Sequence, residues 1–238
     1  MNEYSCWKEW DEDDFGCPTI GDYVYFKKIF KLANVNIEGK RVLEIGFGNG
    51  QLMGLLKKLK PEKMVGVEQI NLLVERATNH SFEAYHGKLT DIDELTNIEF
   101  DIIIAIDVLE HLEYGELVEL FNWIKSHLSK SGTFISRFPE GSSALGLRNQ
   151  NGDFTHKTSL TETKLDFLAK QSGLSVDMYF DDLIYSNYLS KMGILGSIIF
   201  KVLDIHTFIV RFFLKLIFYP ITTSLKLTAN SIVIIRNK

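Results

Sequence analysis

The residues best suited to chemistry fall into three groups. Glu44, Gly46, Gly48 and Gly50 form an E-x-G-x-G-x-G run directly behind the apolar stretch Val42-Leu43. Glycines at alternate positions let the backbone turn tightly and approach a ligand with no Cβ in the way. Glu68 ends the short run Met64-Val65-Gly66-Val67, 18 residues beyond Gly50, and an acid so placed can accept both hydroxyls of a ribose. Asp153 and His156 close a long polar stretch that begins at Phe138. Either could act as a general base, since imidazole titrates near working pH.

Such residues need elements to hold them. Val42–Ile45 has strand length, and Gln51–Lys58 reads as a short helix with Lys57 and Lys58 in its last turn. A buried strand turning on glycines into a helix start is how open α/β sheets build a ligand site. A dinucleotide loop requires a small residue where Gln51 stands, and a phosphate-binding P-loop requires Gly-Lys-Ser/Thr; neither pattern is met. Further strands are read at 64–68, 82–86 (weak), within the run 100–112, and at 132–138, 174–181 and 231–236, with helices at 20–33, 72–77, 116–128 and 161–173. Ligands of such sheets bind outside the carboxyl ends of the strands. That rule gathers 44–50, Glu68, 107–111 and the loop after Phe138 on one edge.

The E-x-G-x-G-x-G run resembles motif I of the class I S-adenosylmethionine (SAM) dependent methyltransferases. The run Phe100–Leu112, passing through Asp107-Val108-Leu109-Glu110-His111, resembles that family's fourth-strand motif. The resemblance covers residues 30–181 and the last strand. It implies a Rossmann-like α/β three-layer sandwich with a mostly parallel seven-stranded sheet and an antiparallel last strand. It implies a cofactor site of Glu44, Gly46, Phe47, Gly48, Gly50, Glu68, Gln69, Lys88, Leu89, Asp107 and Val108. In the family the glycine loop lies under the methionine and ribose, and Glu68 matches the ribose acid. Lys88 and Leu89 would flank the adenine, although the usual acidic residue there is missing. The plainer alternatives are a generic strand–turn–helix and a solvated loop carboxylate.

Asp107-x-x-Glu110-His111 is also similar to the E-x-x-E-H of quinone-biosynthesis and small-RNA 2′-O-methyltransferases, where acids and histidine hold a divalent ion. The resemblance implies Mg²⁺ or Mn²⁺ on Asp107, Glu110 and His111, with His156 able to complete the set. The alternative is a structural His111 that orients its loop, which would leave catalysis to Asp153, His156 and His111 without a metal. The pattern F-P-x-G…N-x-x-G-D-x-T-H looks like methyltransferases found with bacterial surface-polysaccharide biosynthesis. Its Arg, Asn, Gln, Asp and His suit an acceptor rich in hydroxyls. The expected reaction is O-methylation of a sugar in a glycan, lipid-linked in one version. The alternatives are a quinone or other lipid hydroxyl, and a SAM-binding protein without catalysis.

A net charge of −5 argues against a protein that grips nucleic acid through phosphates. Two cysteines form no disulfide framework, and no secretory signal peptide opens the chain, so a cytoplasmic protein is expected. Residues 1–34 read as an arm and helical cover, 35–181 with 230–238 as the SAM-binding domain, and 182–229 as a hydrophobic amphipathic insertion. In that insertion Lys201, Asp204, Arg211 and Lys215 recur on one narrow stripe of an otherwise apolar stretch. Residues 194–220 therefore read as a peripheral contact with the inner face of the cell membrane, a homodimer interface, or a helix packed on the core.

Overall fold

The computed structural model describes residues 14–182, 226–237 and nine helical positions between 202 and 216. Trp7, Trp10, the acidic run 11–13 and most of the 182–229 insertion lie outside the described residues. Helix α1 (Ile20–Leu32) starts on Thr19, whose hydroxyl accepts from Asp22 N while the Asp22 carboxylate accepts from Thr19 N at 2.8 Å. This reciprocal cap satisfies two N–H groups that a helix start otherwise leaves without partners.

Strands β1 (Arg41–Ile45), β2 (Lys63–Glu68), β3 (Ala84–His86), β4 (Phe100–Ile106), β5 (Leu128–Pro139), β6 (Leu174–Asp182) and β7 (Asn230–Asn237) form one sheet in the order β3-β2-β1-β4-β5-β7-β6. Strands β1 to β5 run parallel, and β7 lies antiparallel between β5 and β6. This is the mostly parallel seven-stranded sheet with an antiparallel last strand. Strand order reverses at β1, which pairs with β2 on one side and β4 on the other. Ligands of open α/β sheets sit at such a switch point.

Alternation along each strand builds two cores. Leu43, Ile103, Phe134 and Val233 pack with Leu117 and Phe121 of α4 (Tyr114–His127) and Leu165 of α6 (Glu162–Gln171). Val42, Ile104, Ile135 and Ile234 pack with Phe26 of α1 and Leu55 of α2 (Gln51–Lys58). A third cluster joins Phe15, Phe47 and Phe82 to Leu73 of α3 (Asn71–Asn79). Phe15 ties the described end of the arm to the glycine loop, and Gly16 N donates to Asn49 O at 2.9 Å. Gly54 of α2 lies under the Gly16 carbonyl, so close that a Cβ there would strike it.

Among the described residues, short 3-10 turns form at Leu89–Asp91, Asp93–Leu95 and Leu109–His111, and two longer elements depart from the sequence reading. Strand β5 begins at Leu128 rather than Gly132, because Leu128 pairs with Phe100 ahead of a bulge. Helix α5 (Gly146–Asn151) forms in the stretch read as an irregular loop. It has no apolar periodicity to announce it. Close packing of Gly146 on the Glu140 backbone and the bond from Leu145 N to Ser143 Oγ at 3.2 Å hold its start.

Candidate active site

The carboxyl ends of β1, β2, β4 and β5 open into a cavity of about 850 Å³. Its floor is the glycine loop. Gly46, Gly48 and Gly50 have φ of 68°, 53° and 71°, a left-handed region that side chains rarely adopt. A Cβ at Gly46 would also strike Val108. Glu68, at the end of β2, accepts from Gly48 N at 3.1 Å through one oxygen, and from Gln69 N and Ile70 N at 2.7 and 3.2 Å through the other. Its carboxylate is thereby fixed beside the loop, facing the cavity it lines.

Glu44 is buried under the same loop, and burial together with the nearby Glu68 raises its pKa well above the ordinary carboxyl value. Both causes favour the protonated carboxyl over the carboxylate. Lys88 bonds Glu116 at 3.1 Å, Leu89 is buried in the wall, and the Gln69 carbonyl meets the His86 ring. All the residues expected to hold the cofactor line this cavity except Gly50, which turns the chain into α2.

Asp107 ends β4 with a φ of 55°, a conformation that Asp tolerates better than most side chains. Arg137 of β5 clamps its carboxylate with Nε at 2.9 Å and with Nη2. The same guanidinium donates to Tyr25 Oη at 3.2 Å, and Tyr25 donates to Asp182 at 2.9 Å. This chain joins α1, β4, β5 and the root of the insertion. Asp107 is therefore committed to Arg137 and does not join a metal set, which corrects the reading that placed it there.

Glu110, His111 and His156 come together instead: one ligand atom from each lies within 4.8 Å of the others. Glu110 is 1% exposed, and the two imidazole rings meet edge to face at 4.6 Å. Hydrogen bonds settle both tautomers. The Thr155 hydroxyl gives its proton to Asp153 at 2.6 Å, so His111 Nδ1, 3.0 Å from that oxygen, must be the donor. His156 Nδ1 lies 3.1 Å from the Gln150 carbonyl and must also donate. Nδ1 of each ring is thus spent on an outer partner, and Nε2 of His156 points to Glu110 and Asp153 at 4.0 and 3.8 Å. Histidines that ligate metals are held in this way by an outer hydrogen bond. Two imidazoles and one carboxylate suit Mn²⁺ or Zn²⁺ better than Mg²⁺, which prefers an all-oxygen shell.

His111, Phe154, Thr155 and Lys157 face the cavity, whereas Glu110, Asp153 and His156 stand behind that wall. Burial opposes ionisation of Asp153, but the bonds from Thr155 outweigh it and hold the carboxyl below its ordinary range. A base that must take a proton near neutral pH is poorly served by that shift. The geometry makes Asp153 the group that orients Thr155, and through it His111. Sequence reasoning missed Arg137, Tyr25, Thr155 and Asp182. A guanidinium inside the apolar run 134–138 was the one available signal.

Known proteins agree with this geometry. A methyltransferase domain family matches residues 20–178. The chain superposes on a SAM-dependent methyltransferase from Archaeoglobus fulgidus with a TM-score of 0.63 at 17% identity, covering 99% of this chain and 100% of that one. It superposes on another from Mesorhizobium loti with a TM-score of 0.62 at 12% identity, covering 91% and 100%. A histidine protein methyltransferase 1 homolog from Dictyostelium discoideum is 29% identical over 124 residues. That match takes in 48% of this chain and spans 37% of the relative's length. With a cavity at the switch point and a family match over most of the sheet, the chain belongs to the methyltransferase domain family of class I SAM-dependent methyltransferases.

Proposed function

We propose that the protein transfers the methyl group of SAM to a hydroxyl of a sugar ring in a glycan, assisted by a divalent cation on Glu110, His111 and His156. The observation behind the cation is the convergence of one buried carboxylate and two oriented imidazoles behind the cavity wall, and the sugar acceptor rests on the polar stretch 148–156 beside it. Methyl transfer from a sulfonium is an in-line displacement, and a hydroxyl acceptor must lose its proton as the bond forms. A bound divalent ion would lower the pKa of a hydroxyl that reaches it past His111, the member of the set that lines the cavity. The chain's own groups do the rest. Glu68 presents a fixed carboxylate to the cofactor, and Thr155 holds the His111 ring in the cavity wall. Phe154, 102% exposed at the cavity mouth, offers an apolar face to a ring.

The Dictyostelium relative supports a second acceptor, an imidazole nitrogen of a protein. Such a nitrogen carries its own lone pair and needs neither metal nor base. Incubating the protein and labelled SAM with fractionated cell extract separates the readings. Label in polysaccharide, abolished by chelation and restored by Mn²⁺, is the expected result. Label in protein histidine favours the second acceptor, and label in small lipids favours a quinone-like hydroxyl. Tight SAM binding with no label in any fraction makes the protein a non-catalytic binder.

A further inference from the structure

The methyl-transfer site leaves one feature unused, a helical stretch between 202 and 216. Its described apolar residues are all exposed, from 39% at Val210 to 71% at Phe208. At 3.6 residues per turn Val202, Ile205, Ile209, Phe212, Phe213 and Leu216 share one arc of roughly 100°. A contiguous exposed apolar face of this kind marks an interaction surface.

Charge decides the partner. Between Ser190 and Asn230 lie Lys191, Lys201, Arg211, Lys215 and Lys226 against Asp204, a net +4, of which Lys226 is engaged by Glu162 and Asp181 at 3.7 and 3.8 Å. The whole chain carries −5, so the remainder carries −5 − 4 = −9. The sequence period sets Lys201, Arg211 and Lys215 on a stripe separate from the apolar arc. Two copies meeting through this face would bring two positive segments together. An anionic bilayer meets both requirements: lipid headgroups for the basic stripe and acyl chains for the apolar arc. No described helix is long and apolar enough to cross a membrane, so the stretch would lie in the interface plane.

We infer that residues 202–216 dock the protein on an anionic lipid surface. The inference does not depend on which acceptor is methylated. The full-length protein is floated with phosphatidylcholine vesicles and with mixed phosphatidylcholine–phosphatidylglycerol vesicles. Binding should favour the mixed vesicles about tenfold or more and weaken with salt. The double variants Ile209→Asp/Phe213→Asp and Lys201→Glu/Lys215→Glu should each lose about tenfold, while affinity for S-adenosylhomocysteine stays unchanged. Retained cofactor affinity certifies their fold. An Ile209→Trp variant adds a readout at the centre of the apolar arc, its emission shifting to the blue on mixed vesicles. Equal flotation of wild type and both variants overturns the inference. So does a dimer in light scattering that Ile209→Asp/Phe213→Asp splits while wild type ignores vesicles.

Discussion

Replacing Arg137 by Leu tests how the site holds the methionine end of its cofactor. The guanidinium makes two bonds to Asp107 and one to Tyr25, and lies 3.9 Å from Asp182. The two acids it leaves behind differ. The Asp107 side chain is 40% exposed and can be rehydrated, whereas that of Asp182 is 5% exposed. Burial already raises the Asp182 pKa, so without Arg137 that carboxyl takes up a proton rather than remain as a buried charge. The cost of breaking a buried pair, about 3–5 kcal/mol, therefore falls toward the lower end. About 3 kcal/mol in a chain of this size lowers Tm by roughly 6–12 °C.

The second consequence concerns the ligand. We propose that Asp107 receives the cofactor's ammonium; unclamped from its left-handed turn, it would no longer present a fixed carboxylate there. One charge-assisted hydrogen bond is worth about 1.5–3 kcal/mol, or about ten- to a hundredfold in Kd. Calorimetry with S-adenosylhomocysteine should show that loss. Methylthioadenosine, which lacks the amino-acid end, should bind the variant as well as it binds the wild type. Arg137→Lys keeps the charge without the planar fork and should fall between. An equal loss for both ligands would refute the reasoning, for Arg137 would then shape the whole pocket rather than one end of it.

Other consequences are quicker to state. Glu68→Ala should weaken S-adenosylhomocysteine about tenfold or more, since it removes the carboxylate that would receive the ribose hydroxyls; unchanged affinity in calorimetry would take Glu68 off the ribose. The folded-state pKa of Glu44 lies well above the ordinary 4.5, so between those two values the folded protein holds the extra proton. Stability therefore falls as pH rises through that interval, and Glu44→Gln should flatten this part of a plot of Tm against pH. Titrating Mn²⁺ into the chelated protein should give one site, weakened about tenfold or more by His156→Ala and left alone by Asp107→Asn; equal binding in the His156 variant would dismiss the cluster as a metal site. Gly54→Ala should push the Gly16 carbonyl and Phe15 off the glycine loop, destabilising by about 1–3 kcal/mol in thermal melts.

How much was legible depended on whether a feature's cause was local. Strand–glycine–helix, the acid after β2 and the long apolar β4 are written in contiguous residues. Each is set by backbone freedom and by apolar runs that must be buried, so Glu44, the glycine loop and Glu68 stood out at once. The same local logic gave the sheet its class and most of its described elements, but not α5, the early start of β5 or the short 3-10 turns Leu89–Asp91, Asp93–Leu95 and Leu109–His111. Contacts between distant segments carry no such trace. Asp107 is paired by Arg137, 30 residues on, and His111 is oriented by Thr155, 44 residues on. Whether Asp107 faced a metal or a guanidinium depended on the β4–β5 register, which sets Ile106 beside Arg137. The chain alone determined that this protein has a SAM-type loop on an α/β sheet. Only packing in three dimensions decided that His156, rather than Asp107, stands with Glu110 and His111, because side-chain partners are chosen by the geometry that strands and loops share once folded.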